Sequence, residues 1–186
     1  MKDSPIRLGI TLLIISGIMG LILGGANYIT KDLIAAKKDE ANKAAYASVL
    51  PAEADTGSLE ILEVEEEYAS SILEICAADS VGYAMRVSTK GYGGAVIIAV
   101  GIDTTGTVTG VTVVEHSETP GLGAHAANPS FTDQFVGQNS ELTVVKGEGG
   151  AGSISAISGA TITSKSVTAS VNTALEYYNT YLKGGK

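Results

Sequence analysis

The sequence contains few of the residues from which proteins build metal centres and cross-links. Its 186 residues include one cysteine and two histidines. The single Cys76 excludes an intramolecular disulfide, and it excludes an iron–sulfur cluster or other cysteine-ligated metal made by this chain alone. His116 and His125 are too few to form a metal site of their own, so we expect no metal. We expect Cys76 to be an ordinary buried strand residue.

Basic residues are also scarce relative to acidic ones. Lysine and arginine number 12 against 20 aspartates and glutamates, which gives a net charge of −8. Glutamates are concentrated at residues 63–67. Charge runs of this kind usually form a solvated surface, so we assign no chemistry to this one. We expect no nucleic acid among the partners of the chain.

A long uncharged segment lies near the start of the chain. Residues 8–26 contain no charged side chain, and as a helix they would extend roughly 28 Å, close to the thickness of the hydrocarbon core of a membrane. A cleaved signal peptide is the alternative, but the apolar run is long for that purpose and no clear cleavage site follows it. The segment therefore predicts a single transmembrane helix.

One face of this predicted helix carries small residues. Ser16, Gly20 and Gly24 fall four positions apart, a spacing that allows the backbone of another helix to approach closely. The stripe is consistent with a contact face for other membrane subunits. It is equally consistent with the general frequency of glycine in membrane helices, and the sequence does not decide between the two.

The rest of the sequence predicts an α+β domain. Residues 28–50 are polar and alanine-rich and end at Pro51, which predicts a helix leaving the membrane. Later apolar or alternating runs predict strands of a mainly antiparallel sheet, with a hairpin turn at 103–106. These strands are expected at 72–77, 83–88, 95–101, 108–115 and 142–145.

The end of the chain predicts the helix that covers this sheet. A short helix is expected at 129–136 and a flexible stretch at 147–152. Apolar residues recur at helical spacing from Val167 to Leu182, which predicts a C-terminal helix packed on the sheet. The predicted fold class is therefore α+β: a single N-terminal transmembrane helix followed by a mainly antiparallel sheet domain packed by a C-terminal helix.

The segment Ser158-Gly159-Ala160-Thr161 immediately precedes that helix. Small residues let the backbone come close to a bulky ligand. Thr161 is placed where unpaired N–H groups and the helix dipole favour a phosphate. The alternative is an ordinary turn and helix cap, since serine, threonine and glycine are common before helices.

A second glycine-rich segment reads Glu118-Thr119-Pro120-Gly121-Leu122-Gly123. The two glycines allow N–H groups to face a ligand closely, Pro120 stiffens the approach, and Leu122 is suited to rest against a flat ring. On composition alone the segment is also consistent with an ordinary turn. A weaker third segment, residues 90–94, precedes a strand and suits any hairpin.

Together these segments resemble the FMN-binding domain family, found in the G subunit of the Rnf electron transport complex and the C subunit of the sodium-pumping NADH:quinone reductase. Residues 158–161 resemble the flavinylation motif, in which FMN is joined through its phosphate to the hydroxyl of the last residue, here Thr161. Residues 118–123 resemble a second family signature. Family members usually carry an aspartate three residues before the motif, where this chain has Ser155; the departure bears on the efficiency of flavin transfer and leaves the acceptor hydroxyl in place.

The resemblance implies one covalently bound FMN and a set of residues around it. Thr161 is the expected phosphoester, and Thr163 is the alternative acceptor. The other expected cofactor-binding residues are Ser158, Gly159, Ala160, Glu118, Thr119, Gly121, Leu122 and Gly123.

The resemblance also implies a function. The chain is expected to be an electron-transfer subunit, without a catalytic site of its own, in an Rnf-type complex that couples ferredoxin oxidation and NAD reduction to ion movement. The compact chain favours this branch over the quinone-reductase subunit, which is expected to be longer. A non-redox, membrane-anchored extracellular binding module is the alternative from another functional class.

Partners, location and domain boundaries follow from the same resemblance. The implied partners are other membrane subunits of the complex and a flavin transferase. Lysines after the predicted span favour a cytoplasmic domain if read literally, whereas the family implies that the flavin domain lies on the extracytoplasmic side of the cytoplasmic membrane, which is our expectation. We predict a transmembrane anchor at 1–28, a juxtamembrane helix or linker at 29–52 and an FMN-binding domain at 53–186.

Overall fold

The computed structural model describes residues 5–51, 53–78 and 81–184. Helix α1, Pro5–Val49, is exposed over its first part, up to residue 41, which forms a unit by itself. This is the one helix of the described chain that is long and apolar enough to cross a membrane. The predicted N-terminal membrane helix is therefore confirmed as a structural element, within a helix that is considerably longer than the apolar run.

The described residues from Asn42 onward form the second unit, which is built around an antiparallel sheet. Its strands follow one another in chain order, so each pairs with its sequence neighbour. Alternating apolar residues place one side of each strand in a core, as period-two patterning requires. The strands are β1 Glu60–Leu62, β2 Ile72–Ala78, β3 Gly82–Lys90, β4 Ala95–Asp103 and β5 Val108–His116.

The C-terminal helix covers one face of this sheet. Helix α3, Thr161–Tyr177, continues into a π-helical turn, Tyr178–Leu182. Val167 and Val171 are fully buried in a core with residues of β2, β3 and β4 such as Met85 and Ile98. The sequence prediction of a helix that begins near Thr161 and packs on the sheet is confirmed.

The other face of the sheet holds a smaller core made with the last turn of α1. Tyr46 and Val49 pack there with Cys76, Ala84 and Ala99. Cys76 is buried, as predicted, and burial raises the pKa of its thiol to about 11, which keeps it protonated and chemically inert. The sheet domain therefore includes the end of α1, whereas the predicted boundaries at 28 and 52 remain a prediction.

Several short elements complete the domain. The sequence indicated a short helix and a strand after β5, and both are present: α2, Pro129–Thr132, is followed by a 3₁₀ turn, Asp133–Phe135, and by β6, Thr143–Val145. Strand β7, Ser153–Ser155, was not predicted, and it pairs with β6 in parallel. Strand β1 was also missed; it ends directly before the glutamates at residues 63–67, which indicated only solvated surface.

Candidate functional site

A tight turn places the 158–161 segment at the start of α3. The Ala160 N–H donates to the Ile157 carbonyl at 3.0 Å, and Gly159 has φ +75°, a conformation that glycine adopts without strain at the third position of a turn. The buried Ser164 hydroxyl donates to the Ala160 carbonyl at 3.0 Å and accepts from the Ile157 N–H at 2.9 Å. The helix thus holds the turn that precedes it.

The 118–123 segment forms a second turn with the same plan. The Leu122 N–H donates to the Thr119 carbonyl at 3.1 Å, and Gly121 has φ +76°. Proline at the second position and glycine at the third are the residues that this kind of turn favours. The two turns touch, because a Cβ built at Gly159 would lie 3.0 Å from Cδ2 of Leu122.

A cavity of about 570 Å³ opens where the two turns meet. This volume lies within the range of about 300–1,000 Å³ typical of small-molecule sites. Most of the residues expected around a cofactor lie on its wall. They are Glu118, Thr119, Leu122, Gly123, Gly159, Ala160, Thr161 and Thr163, joined by Tyr92 and Ile162.

Two of the expected residues do not line this cavity. Ser158 lies on the other side of its turn, in a second cavity of about 380 Å³ that Gly159 and Thr161 also line. Gly121 is absent from the wall, and a Cβ built there would meet no atom within 4 Å. Gly121 therefore contributes its backbone conformation to the turn.

Glu118 is the buried charged residue of the site, with 5% of its surface exposed. Its Oε1 accepts the backbone N–H groups of Tyr92 at 2.8 Å and Gly93 at 3.0 Å. Its Oε2 accepts the Thr163 hydroxyl at 2.5 Å. One carboxylate thus joins three separate segments: the loop after β3, the loop after β5 and the first turn of α3.

These contacts keep Glu118 ionised. Burial favours the neutral acid, but the hydrogen bonds from Thr163, Gly93 and Tyr92 outweigh that effect and hold the pKa of Glu118 below its ordinary value. His116 adds a smaller effect in the same direction, and its Nδ1 accepts the Glu118 N–H at 3.2 Å. His116 is the last residue of β5 and lies beside Glu118.

Glycines make room for this carboxylate. A Cβ at Gly123 would lie 2.5 Å from Oε2 of Glu118 and 2.8 Å from the Thr163 hydroxyl oxygen. Cβ atoms at Gly91 and Gly93 would clash with the Glu118 carboxylate and the Ser117 carbonyl, respectively. The glycines of these loops are therefore explained by close packing around Glu118, a role that composition alone does not indicate.

The two threonines at the start of α3 have different surroundings. Thr163 is 1% exposed, and its hydroxyl donates to Glu118. Thr161 is partly exposed, lines both cavities, and has no side-chain hydrogen bond to any residue that the structure describes. It is the first residue of α3, and no side chain caps this helix.

Besides Leu122, which the second motif predicted, the cavity has apolar surface from two residues that were not expected, Tyr92 and Ile162. Tyr92 is 72% exposed, Ile162 54% and Leu122 45%. Tyr92 belongs to the weak third segment, and Ile162 follows the 158–161 motif directly. The sequence contained a signal for Ile162: it is a large apolar residue in the first turn of α3 that does not belong to the buried face of that helix.

Comparisons with known proteins agree with these features. The sequence profile of the FMN-binding domain family matches residues 91–176, which include both turns and most of α3. The fold is similar to the crystal structure of the C subunit of the Na(+)-translocating NADH-quinone reductase from Parabacteroides distasonis, with a TM-score of 0.59 and 20% identity over 81% of this chain and 96% of that one. At that identity the likeness concerns the fold alone.

Two relatives align along nearly the whole chain. The G subunit of the Na(+)-translocating ferredoxin:NAD(+) oxidoreductase complex of Acetobacterium woodii is 37% identical, over 95% of this chain and 93% of that protein. The G subunit of the ion-translocating oxidoreductase complex of Methanosarcina acetivorans is 32% identical, over 90% and 91%. The chain therefore belongs to the family of the G subunits of ion-translocating oxidoreductase complexes, within the FMN-binding domain family.

Proposed function

We propose that this chain is a membrane-anchored subunit that carries FMN, covalently joined to Thr161, and relays electrons within an ion-translocating ferredoxin:NAD oxidoreductase. The observation that carries the proposal is the cavity formed where the two motif turns meet, in a chain related over nearly its whole length to a G subunit. The FMN-binding domain profile supports the identity of the cofactor. The relay role is supported by the complexes that the relatives are named for.

The walls of the cavity suit a flavin. Leu122, Ile162 and Tyr92 offer exposed apolar surface to a flat ring, and burying such surface favours binding. FMN also carries a phosphate, and the first N–H groups of α3 together with the helix dipole favour an anion beside Thr161. When bound, the flavin supplies the redox chemistry, so the chain needs no acid or base group for electron transfer.

The hydroxyl of Thr161 is better suited to a phosphoester than that of Thr163. Thr161 is partly exposed and lines both cavities, and its hydroxyl is unengaged among the described residues, so a bulky phosphate can reach it. Esterifying Thr163 would displace its hydrogen bond to Glu118 and force a phosphate into a buried position. The geometry therefore supports Thr161 as the acceptor.

Partners and location complete the proposal. We expect attachment by a flavin transferase, assembly with other membrane subunits through α1, and a flavin domain on the extracytoplasmic side of the cytoplasmic membrane. In α1, Cβ atoms built at Gly20 and Gly24 meet nothing within 4 Å, so the small-residue face is open to another helix. Ser155 occupies the position where family members usually carry aspartate, and its N–H donates a hydrogen bond to Oε1 of Gln134 at 2.7 Å.

The decisive experiment measures flavin on the full-length chain purified from its own cells. Intact mass should show one added FMN, and the band on a denaturing gel should fluoresce. Thr161→Ala should abolish both signals, because it removes the ester oxygen. Thr161→Ser should retain them, and Thr163→Val should retain them as well.

Two outcomes would contradict the proposal. A wild-type chain without added mass would remove the covalent cofactor and favour the non-redox binding module. A Thr161→Ala chain that still carried flavin, combined with a Thr163→Val chain that did not, would move the ester to Thr163.

A further inference from the structure

Glu118 places one negative charge in the wall of the cavity, and no lysine or arginine contacts it among the described residues. Its carboxylate accepts hydrogen bonds from two backbone N–H groups and one hydroxyl. Hydrogen bonds from dipoles stabilise an ionised carboxylate without cancelling its charge. Glu118 lies in the wall of the cavity, so the field of this charge extends into it.

We propose that Glu118 is a positioning residue whose ionised carboxylate shapes the flavin cavity and lowers the reduction potential of the flavin bound there. This inference rests on the proposed function, since it requires a flavin in the cavity. Reduction by two electrons with uptake of one proton leaves an added negative charge on the flavin ring, and a fixed negative charge nearby opposes that change. The direction of the effect follows from the sign of the charge alone.

The neutral substitution at this position is nearly isosteric. In Glu118→Gln, the amide oxygen can accept the Tyr92 and Gly93 N–H groups, as Oε1 does now. The amide nitrogen can donate to the Thr163 hydroxyl, which is able to act as either donor or acceptor. The substitution therefore removes the charge, while hydrogen bonds to Tyr92, Gly93 and Thr163 can still form.

The first test compares the midpoint potential of flavin on full-length wild type, Glu118→Gln and Glu141→Gln. Glu141 is an exposed carboxylate that lines a different cavity, beside Asn172, so its variant makes the same charge change elsewhere. We expect the potential of Glu118→Gln to rise and that of Glu141→Gln to match wild type. Flavin-loaded Glu118→Gln with an unchanged potential would overturn the inference.

A second variant covers the case in which Glu118→Gln does not fold. Thr163→Val removes one donor, so the carboxyl of Glu118 should protonate at a higher pH than in wild type. Over a series from about pH 4 to about pH 8, the potential of Thr163→Val should exceed that of wild type towards the acidic end and coincide with it at the other end. Curves that superpose throughout this range would overturn the inference.

Wild type and Thr163→Val have the same other titratable groups near Glu118. They are His116 at the end of β5, Tyr92 in the loop after β3, and His125 in the 3₁₀ turn Gly123–Ala127, whose ring nitrogen bonds Asn128. A difference between the two curves therefore reports Glu118. Failure of the proposed function is distinguishable, because it would appear as wild type that carries no flavin at all.

Discussion

Two glutamates of the same domain are held in opposite ways. Glu74, on the face packed by the end of α1, accepts the Tyr46 hydroxyl at 2.7 Å and lies 3.4 Å from the Arg86 guanidinium. Glu118, at the cavity, is held by N–H groups and the Thr163 hydroxyl. A cation offsets the first charge, whereas dipoles leave the second charge in place. On the sheet face that packs against the end of α1, here called the packing face, Arg86 therefore neutralises the charge of Glu74. At the cavity, Glu118 keeps its negative charge.

Both regions use glycine to bring chain segments unusually close. On the packing face, Gly101 and Gly110 pair across β4 and β5, and a Cβ at Gly110 would lie 2.8 Å from the Cα of Val49. At the cavity, Gly123 leaves room for Glu118. Glycine thus accommodates a helix end in one region and a carboxylate in the other, so substitutions there should have separable effects.

The largest effect on stability is expected on the packing face. In Gly101→Ala the new methyl group would overlap the Val49 carbonyl, and backbone cannot give way cheaply, so we expect a loss of about 3 kcal/mol in the free energy of unfolding. Urea unfolding of the full-length chain in detergent measures it. Gly94→Ala is the control, because its Cβ would make only ordinary contact at 3.5 Å. Equal stability of the two variants would contradict the close approach of Gly101 to the Val49 carbonyl.

At the cavity, Gly159→Ala should combine a smaller loss of stability with a loss of function. The positive φ and the contact with Leu122 should cost about 2 kcal/mol and lower the fraction of chains that carry flavin. Gly121→Ala has a similar φ but open space, so it should cost about 1 kcal/mol and leave attachment intact. Intact mass and unfolding measure both quantities. Equal flavin loading of the two variants would contradict a role for the contact between Gly159 and Leu122 in flavin attachment.

Stability should depend on pH through Glu118. Its pKa is lowered in the folded state from a reference of 4.5, so its contribution is present above that reference and is lost as pH falls through the folded value. Wild type should exceed Glu118→Gln by about 1 kcal/mol at neutral pH, and the gap should close in acid. Urea unfolding across a pH series tests this. A gap that does not change with pH would exclude the ionised carboxylate as its source.

The smallest effect is expected for Tyr46→Phe. It removes the hydroxyl that donates to Glu74, but the Arg86 contact remains, so we expect a loss of about 0.5 kcal/mol and no change in flavin potential. Thermal unfolding and a redox titration measure these quantities. Tyr92→Phe is the matched control for stability, since the Tyr92 ring is mostly exposed. A shifted potential in Tyr46→Phe would mean that the packing face does influence the cavity.

Local pattern predicted much of this architecture. Period-two runs identified strands β2 to β5, and helical spacing from Val167 onward identified α3, because burial of one face imposes those periods. Strand β1 and strand β7 were missed. Each has three residues, as does the predicted strand β6, and each forms through pairing with a partner strand that the local sequence does not reveal.

The composition of the site was also largely predicted, while its arrangement was not. The motifs supplied Thr161, Leu122 and the glycines, but Ser158 and Gly121 lie off the main cavity, and Tyr92 and Ile162 complete its wall. The partner of Glu118 in α3, Thr163, is 45 positions away along the chain. Contacts over such separations depend on how the sheet and helix pack, and a single sequence carries no direct record of them.

By itself, then, the sequence determined the apolar helix, the α+β class, the family resemblance and the threonine at the start of α3, since each depends on local composition, period or motif. Only the tertiary structure decided that the two turns meet, that Thr163 donates to Glu118 while Thr161 has no side-chain hydrogen bond among the described residues, and that Glu118 lies buried between three segments. The physical reason is that hydrogen bonds and burial depend on groups that are close in space, and these groups are often far apart along the chain. Local sequence patterns determine which segments form helices and strands, and packing determines which of their side chains lie together.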